Sequence, residues 1–202
     1  MRLGIYGGTF DPVHYGHLLL AESAREQLRL DEVWFMPAAV PPHKRERELT
    51  AAKQRVEMLD LAIAGNPAFR VSKLELDRGG VSYTVDTLRT VKSQQPEAEL
   101  FLLMGADSLR DLVTWREPAE ICRLATPAVV RRGGQPALDF SVLAGIVSAE
   151  RLREIAATEV DISAVDFSSS DLRERAATGR SLRYRTPRAV EMYIQAQKLY
   201  QS

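Results

Sequence analysis

Two histidines, His14 and His17, stand three residues apart just after a glycine pair, in Gly7-Gly8-Thr9-Phe10-Asp11-Pro12-Val13-His14-Tyr15-Gly16-His17. At the start of a helix, that spacing points both rings to the same side. The glycines let the backbone approach a ligand closely. A helix N-terminus presents free N–H groups and the positive end of its dipole, which suits a phosphate. An imidazolium there would add charge-assisted hydrogen bonds to the anion. Taken alone, the residues leave three alternatives open: ordinary helix-start histidines, zinc ligands, or an anion site. Zinc would need a third ligand, and the chain has no HExxH pattern and one distant cysteine, Cys122. A dinucleotide-binding turn is disfavoured, since the glycines fall at Gly4, Gly7 and Gly8 rather than in GxGxxG spacing.

Further candidates lie downstream. His43 and Lys44 follow Pro41-Pro42 in a polar loop, and only five of the 27 basic side chains are Lys. Asp107 follows an apolar run at 100–104, where it could accept a hydrogen bond from a ribose, orient the water shell of a metal ion, or N-cap the next helix. Ser168-Ser169-Ser170 opens a helix, with Arg173 one turn in, so that serines and guanidinium can converge on a phosphate. Between Ser168 and Arg188 there are six Arg against Asp171 and Glu174. That is a local basic patch suited to a polyphosphate, part of it a solvated face.

These residues need elements to carry them. Leu3 to Tyr6 reads as a buried strand, followed by an amphipathic helix from Gly16 to Leu30 with Leu18, Ala21, Ala24 and Leu28 on one face. Strands are expected at 33–36, 69–76, 100–104, 128–131 and 160–162. Helices are expected at 50–64, with Thr50 as N-cap, and at 84–94, 108–112, 118–124, 149–156, 169–177 and 187–199. Alternating strands and helices imply parallel βαβ units, hence an α/β, Rossmann-like doubly wound sheet with helices on both faces and a C-terminal helical appendage. Residues 1–202 read as one domain, with 168–202 the C-terminal helical segment. In such sheets ligands bind beyond the C-terminal strand ends, where the glycine-rich loop would lie.

Totals bound the function. The 202 residues carry 27 basic and 27 acidic side chains and no net charge, which argues against a generic nucleic-acid or membrane-surface binder. One cysteine closes no intrachain disulfide, the apolar stretch before Gly7 is too short for a signal peptide, and no run approaches a membrane span. The expected compartment is the cytoplasm.

Taken whole, the first loop resembles that of the nucleotidyltransferase superfamily, whose HxGH motif is here His14-Tyr15-Gly16-His17. Further segments resemble one branch, the bacterial nicotinate-mononucleotide adenylyltransferases. Gly7 to His17 is similar to its GGTFDPxHxGH, Pro41 to Lys44 to its PPHK, and Ser82 to Leu88 to its SYTxDTL. Gly105-Ala106-Asp107-Ser108 with Trp115 is similar to its GxDS…W, and Phe167 to Arg173 to its ISSTxIR. The resemblance spans almost the whole chain in order. Ser170 replaces the usual Thr but keeps a hydroxyl. Arg116 follows Trp115 where the branch often has Tyr or His, so no side-chain role is carried over there.

The resemblance implies transfer of the adenylyl group of ATP to nicotinate mononucleotide, releasing pyrophosphate, with Mg²⁺ carried by the ATP phosphates and no metal bound by the protein alone. It implies catalytic roles for His17 first, then His14, Lys44 and Arg173. ATP would meet Gly7, Gly8, Thr9, Phe10, His14, His17, Gly105, Asp107, Ser169, Ser170 and Arg173. The mononucleotide would meet Gly8, Thr9, His43, Lys44, Tyr83, Thr84 and Trp115, with Trp115 stacking on the ring or simply packing. The implied partners are ATP and nicotinate mononucleotide, without nucleic acid or membrane; self-association is left open. Adenylyl transfer to a phosphopantetheine shares HxGH and the late serine–Arg motif but should lack the SYTxDTL and Trp115 pair. A nucleotide-sensing module without catalysis would not require His14, His17, Lys44 and Arg173 together.

Overall fold

The structure, a computed structural model, describes residues 1–40 and 49–201. Six strands form one parallel sheet: β1 (Arg2–Gly8), β2 (Glu32–Pro37), β3 (Phe69–Val71), β4 (Glu99–Gly105), β5 (Thr126–Arg132) and β6 (Val160–Ile162). Their spatial order is β3-β2-β1-β4-β5-β6. The order reverses between β1 and β4, which pair in register from Arg2–Glu99 to Ile5–Leu102. Loops leaving β1 and β4 part to opposite faces there and open a crevice at their C-terminal ends.

Alternation along the strands feeds two cores. Tyr6, Val33, Phe35, Phe101, Leu103 and Val130 face one side, against α1 (Tyr15–Gln27) and α2 (Ala52–Ile63). Leu172 of α8 (Ser169–Ala177) and Val190 and Ile194 of α9 (Arg188–Ala196) complete that core, so the C-terminal segment packs into it. Leu3, Ile5, Leu100, Leu102, Met104 and Val129 face the other side, against α4 (Thr84–Gln94), α5 (Ala106–Asp111), α6 (Pro118–Leu124) and α7 (Ala149–Ala156). Each large side chain buried there contributes about 1.5–3 kcal/mol. Gly4 sits in close packing: a Cβ at this position would come within 2.9 Å of the end of the Leu30 side chain, which would have to shift.

Two expected elements differ. The strand expected over 69–76 ends at Val71, and Leu74–Arg78 is a short helix, α3. Val33 N–H donates to Ala68 and Phe35 accepts from Ser72, so every second residue of β2 serves this edge. Two residues on stands Pro37, which has no N–H to extend the ladder. Thr50 is not the N-cap of α2; that position is Ala51, while the Thr50 carbonyl accepts from Arg55 and its side chain meets Tyr200. Among the described residues no helix is long and apolar enough to cross a membrane.

Candidate active site

At the crevice a cavity of about 420 Å³ is lined by Gly7, Gly8 and Thr9 on one side and by Glu75, Tyr83, Thr84, Trp115 and Arg116 on the other. Gly105 and Ser108 also line it. A Cβ on Gly8 would come within 3.0 Å of the Phe10 ring, whereas one on Gly7 would meet nothing within 4 Å. The Phe10 ring is 1% exposed and meets Tyr6, His17 and Phe35 at centroid distances of 5.4, 5.1 and 5.7 Å. This residue therefore anchors the loop in the core and can offer a ligand only its backbone.

His14 occupies the N-cap position of α1 and His17 lies in the first turn. Their rings stack at 3.7 Å with an interplanar angle of 20°, confirming that they share a side. The His14 N–H donates to His17 Nδ1 at 3.2 Å. Because Nδ1 accepts, the proton of a neutral His17 ring sits on Nε2, which makes that atom the donor of the ring. His14 is 5% exposed and its Nδ1 has no hydrogen-bond partner among the described residues. Burial, helped by the Arg132 charge, lowers its pKa to about 4. The expectation of an imidazolium is thus corrected for His14: at neutral pH it is an uncharged ring behind His17. The reason is desolvation, which no local pattern reports.

The late serine–Arg motif meets the first loop directly. Ser168 caps α8, accepting from Asp171 N–H at 3.1 Å. Ser169 Oγ donates to the Pro12 carbonyl at 2.9 Å, and Arg173 Nη1 to the Asp11 carbonyl at 2.6 Å. Arg173 Nη2 donates to Ser170 Oγ at 2.8 Å. Thr186 Oγ1 donates to the Val13 carbonyl at 2.8 Å, and the Tyr15 N–H donates to Arg185 O at 3.0 Å. Near the C-terminus, Tyr200 donates from its hydroxyl to Asp11 Oδ1 at 2.6 Å. Ser170 and Arg173 line a separate hollow with Asp11, Thr50 and Tyr200 rather than the cavity of Trp115.

Asp107 is exposed, pairs with Arg110 and is not among the residues lining the cavity. Its expected capping role falls to Gly105, since α5 begins directly after β4 and places Asp107 inside the first turn. Trp115 is half-buried against the second core and lines the cavity, so packing and presentation coexist. Arg116 lies over the Tyr83 ring at 4.9 Å and pairs with Asp86 at 3.5 Å, giving this departure from the motif a structural place. His43 and Lys44 lie outside the described residues.

Three residues escaped the sequence reading. Glu75, 6% exposed, lines the cavity and accepts from Thr87 Oγ1 at 2.7 Å; an expected strand hid it. Arg132, at the C-terminal end of β5, acts electrostatically on both His14 and Tyr6. Arg55 is buried beneath the glycine-rich loop. A basic residue closing a strand was the available signal for Arg132; Arg55 gave none, because it stands in an amphipathic helix.

No group of three His, Cys, Asp or Glu side chains that could hold a metal ion occurs among the described residues.

A family model described as cytidylyltransferase-like matches residues 5–175. The chain is 45% identical over 201 residues to a Thermomicrobium roseum protein named "Probable nicotinate-nucleotide adenylyltransferase", covering 100% of this chain and 92% of that one. It is 46% identical over 200 residues to a Thermus thermophilus protein of the same name, covering 99% and 100%. The solved structure of Plasmodium falciparum nicotinic acid mononucleotide adenylyltransferase complexed with NaAD superposes with a TM-score of 0.75 over 98% of this chain and 97% of that one. At 19% identity that likeness is one of fold.

Proposed function

The chain belongs to the cytidylyltransferase-like family, and on that premise we infer that it transfers the adenylyl group of ATP to nicotinate mononucleotide. The products are nicotinate adenine dinucleotide and pyrophosphate, a step in NAD synthesis. The observation that carries the reading is the cavity at the β1–β4 reversal, with the loop leading to His17 on one wall and Tyr83, Thr84 and Trp115 on the other.

A phosphate oxygen of the mononucleotide attacks the α-phosphorus of ATP; that O–P bond forms as the bond to the bridging oxygen of pyrophosphate breaks. The nucleophile is already anionic, so no strong general base is needed. The demands are in-line placement and stabilisation of charge on the α-phosphate and leaving group. Our reading assigns the α-phosphate contact to His17 Nε2–H, backed by the stacked His14. Backbone N–H groups of Gly7, Gly8, Thr9 and Phe10 serve the phosphates and the pyridine nucleotide. Lys44, His43, Ser170 and Arg173 supply charge and donors to the phosphates, Ser169 adds its main-chain N–H at the start of α8 because its hydroxyl is held by Pro12, and Gly105 and Asp107 serve the nucleoside side. Trp115 stacks on the nicotinate ring while Thr84, Tyr83 and adjoining amides meet its carboxylate. Donors left unpaired against an amide would disfavour nicotinamide mononucleotide. We take Mg²⁺ to be carried by the ATP phosphates as part of the co-substrate. We take residues 1–202 as a single catalytic domain acting in the cytoplasm.

The test is pyrophosphate release with ATP and Mg²⁺, comparing nicotinate mononucleotide, nicotinamide mononucleotide and phosphopantetheine. Fastest turnover is expected with nicotinate mononucleotide; fastest turnover with phosphopantetheine overturns the assignment.

A further inference from the structure

We propose that Arg55 is a positioning residue for adenylyl transfer, a buried fork that aims the backbone of the glycine-rich loop at the reacting phosphates. The proposal rests on the reaction inferred above. Arg55 is 2% exposed and lies in the first turns of α2. Its Nε donates to Thr50 O at 3.0 Å, Nη1 to Thr9 O at 2.9 Å and Nη2 to Ala38 O at 2.9 Å. The three carbonyls belong to three segments: the glycine-rich loop, the chain just past β2 and the residue before the N-cap of α2. Asp11 is the negative charge nearest in effect.

Filling this volume with an apolar side chain would avoid burying a permanent charge, and such replacements are often neutral or stabilising. What an apolar residue could not do is hold three carbonyls in one plane, as a guanidinium does. Two of those carbonyls belong to Thr9 and Ala38, which line the cavity. The Ala38 N–H also donates to Gly8 O at 2.9 Å, so Arg55 and this bond fix the loop against the end of β2 from two directions.

The consequence reaches the next peptide. The Thr9–Phe10 unit is planar, with C=O and N–H opposed, so a Thr9 carbonyl drawn onto Arg55 turns the Phe10 N–H the other way. Phe10 itself has φ +49°, a left-handed conformation that a non-glycine residue adopts only when its surroundings over-determine it. The buried ring fixes one end of that residue and Arg55 fixes the peptide before it. Anion-cradling turns use left-handed residues of this kind next to right-handed ones, and Phe10 supplies a left-handed member at this loop.

The test compares wild type, Arg55→Lys and Ile63→Ala, the last a destabilising control in the same helix whose side chain lies in the first core. Circular dichroism establishes folding, calorimetry the affinity for a non-hydrolysable ATP analogue, and pyrophosphate release the rate. Wild-type turnover with nicotinate mononucleotide comes first; its absence overturns the reaction assignment itself, and this proposal with it. Given that turnover, the expected result is a kcat at least tenfold lower for folded Arg55→Lys, with analogue affinity within threefold of wild type. Ile63→Ala should keep its kcat. Misplacement of about 1 Å can cost 10²-fold, which sets the scale. Near-wild-type kcat in Arg55→Lys, or an equal loss in both variants, overturns the positioning role while leaving the reaction standing. Should Arg55→Lys not fold, Arg55→Gln, which keeps an amide donor, is assayed at low temperature against the same criteria.

Discussion

Arg173 Nη1 donates to the main-chain carbonyl of Asp11 at 2.6 Å, joining residues 162 positions apart. The next two carbonyls, of Pro12 and Val13, accept from Ser169 and Thr186. Three successive peptides before His14 are thus held by side chains from the last fifth of the chain. A motif that reads as a phosphate site is also a clamp on the loop presenting the histidines. One guanidinium can serve both purposes, because it carries five donors.

Thr186 isolates the clamp from ligand contact, being 1% exposed with its hydroxyl on Val13. Thr186→Val keeps the shape and leaves a buried carbonyl short of a donor, at a cost of about 1–3 kcal/mol. Thermal unfolding should shift down by roughly 2–4 °C per kcal/mol for a chain of this size. Thr186→Ser should recover most of the loss, and an unchanged melting temperature in Thr186→Val would remove Thr186 from the clamp.

His17→Ala should lower kcat by about 10²-fold or more with little change in ATP affinity, as for a donor used in the transition state. Steady-state kinetics with saturating mononucleotide reads this directly. Near-normal turnover would sink the assignment.

His14 gives a pH signature. Its folded pKa, about 4, lies below the ordinary 6.5, so between those values the unfolded chain takes up a proton that the folded chain refuses. The contribution to stability is complete above about pH 6.5 and is lost as pH falls toward 4, by up to roughly 3 kcal/mol. Melting curves from pH 7 to 4.5 should therefore fall more steeply for wild type than for His14→Gln. Parallel curves would contradict the burial argument.

Trp115→Ala should raise KM for nicotinate mononucleotide more than KM for ATP, since Trp115 shares the cavity wall with Tyr83 and Thr84. The reverse order would move Trp115 to the adenine side.

Cys122 is buried, and burial raises its thiol pKa. A thiol reagent should react slowly with native protein and fast in denaturant. Rapid labelling of the folded chain would refute the packing around α6.

Much was legible in the residues alone. Strand and helix periodicity located α4, α6, α7, β6 and α8 with their observed limits, because each is governed by neighbours within a few residues. The spacing of His14 and His17 announced a shared side, and the stacked rings have one. Tertiary structure alone decided the charge state of His14, the helical turn that brings Glu75 to the cavity, the bonds from Arg173, Ser169 and Thr186 to the first loop, and the grip of Arg55 on Thr9. Local pattern encodes which face of an element is apolar. It carries no record of how far a ring will be desolvated, or of which carbonyl a distant donor will meet, for those are set only when segments up to 189 residues apart close on one another.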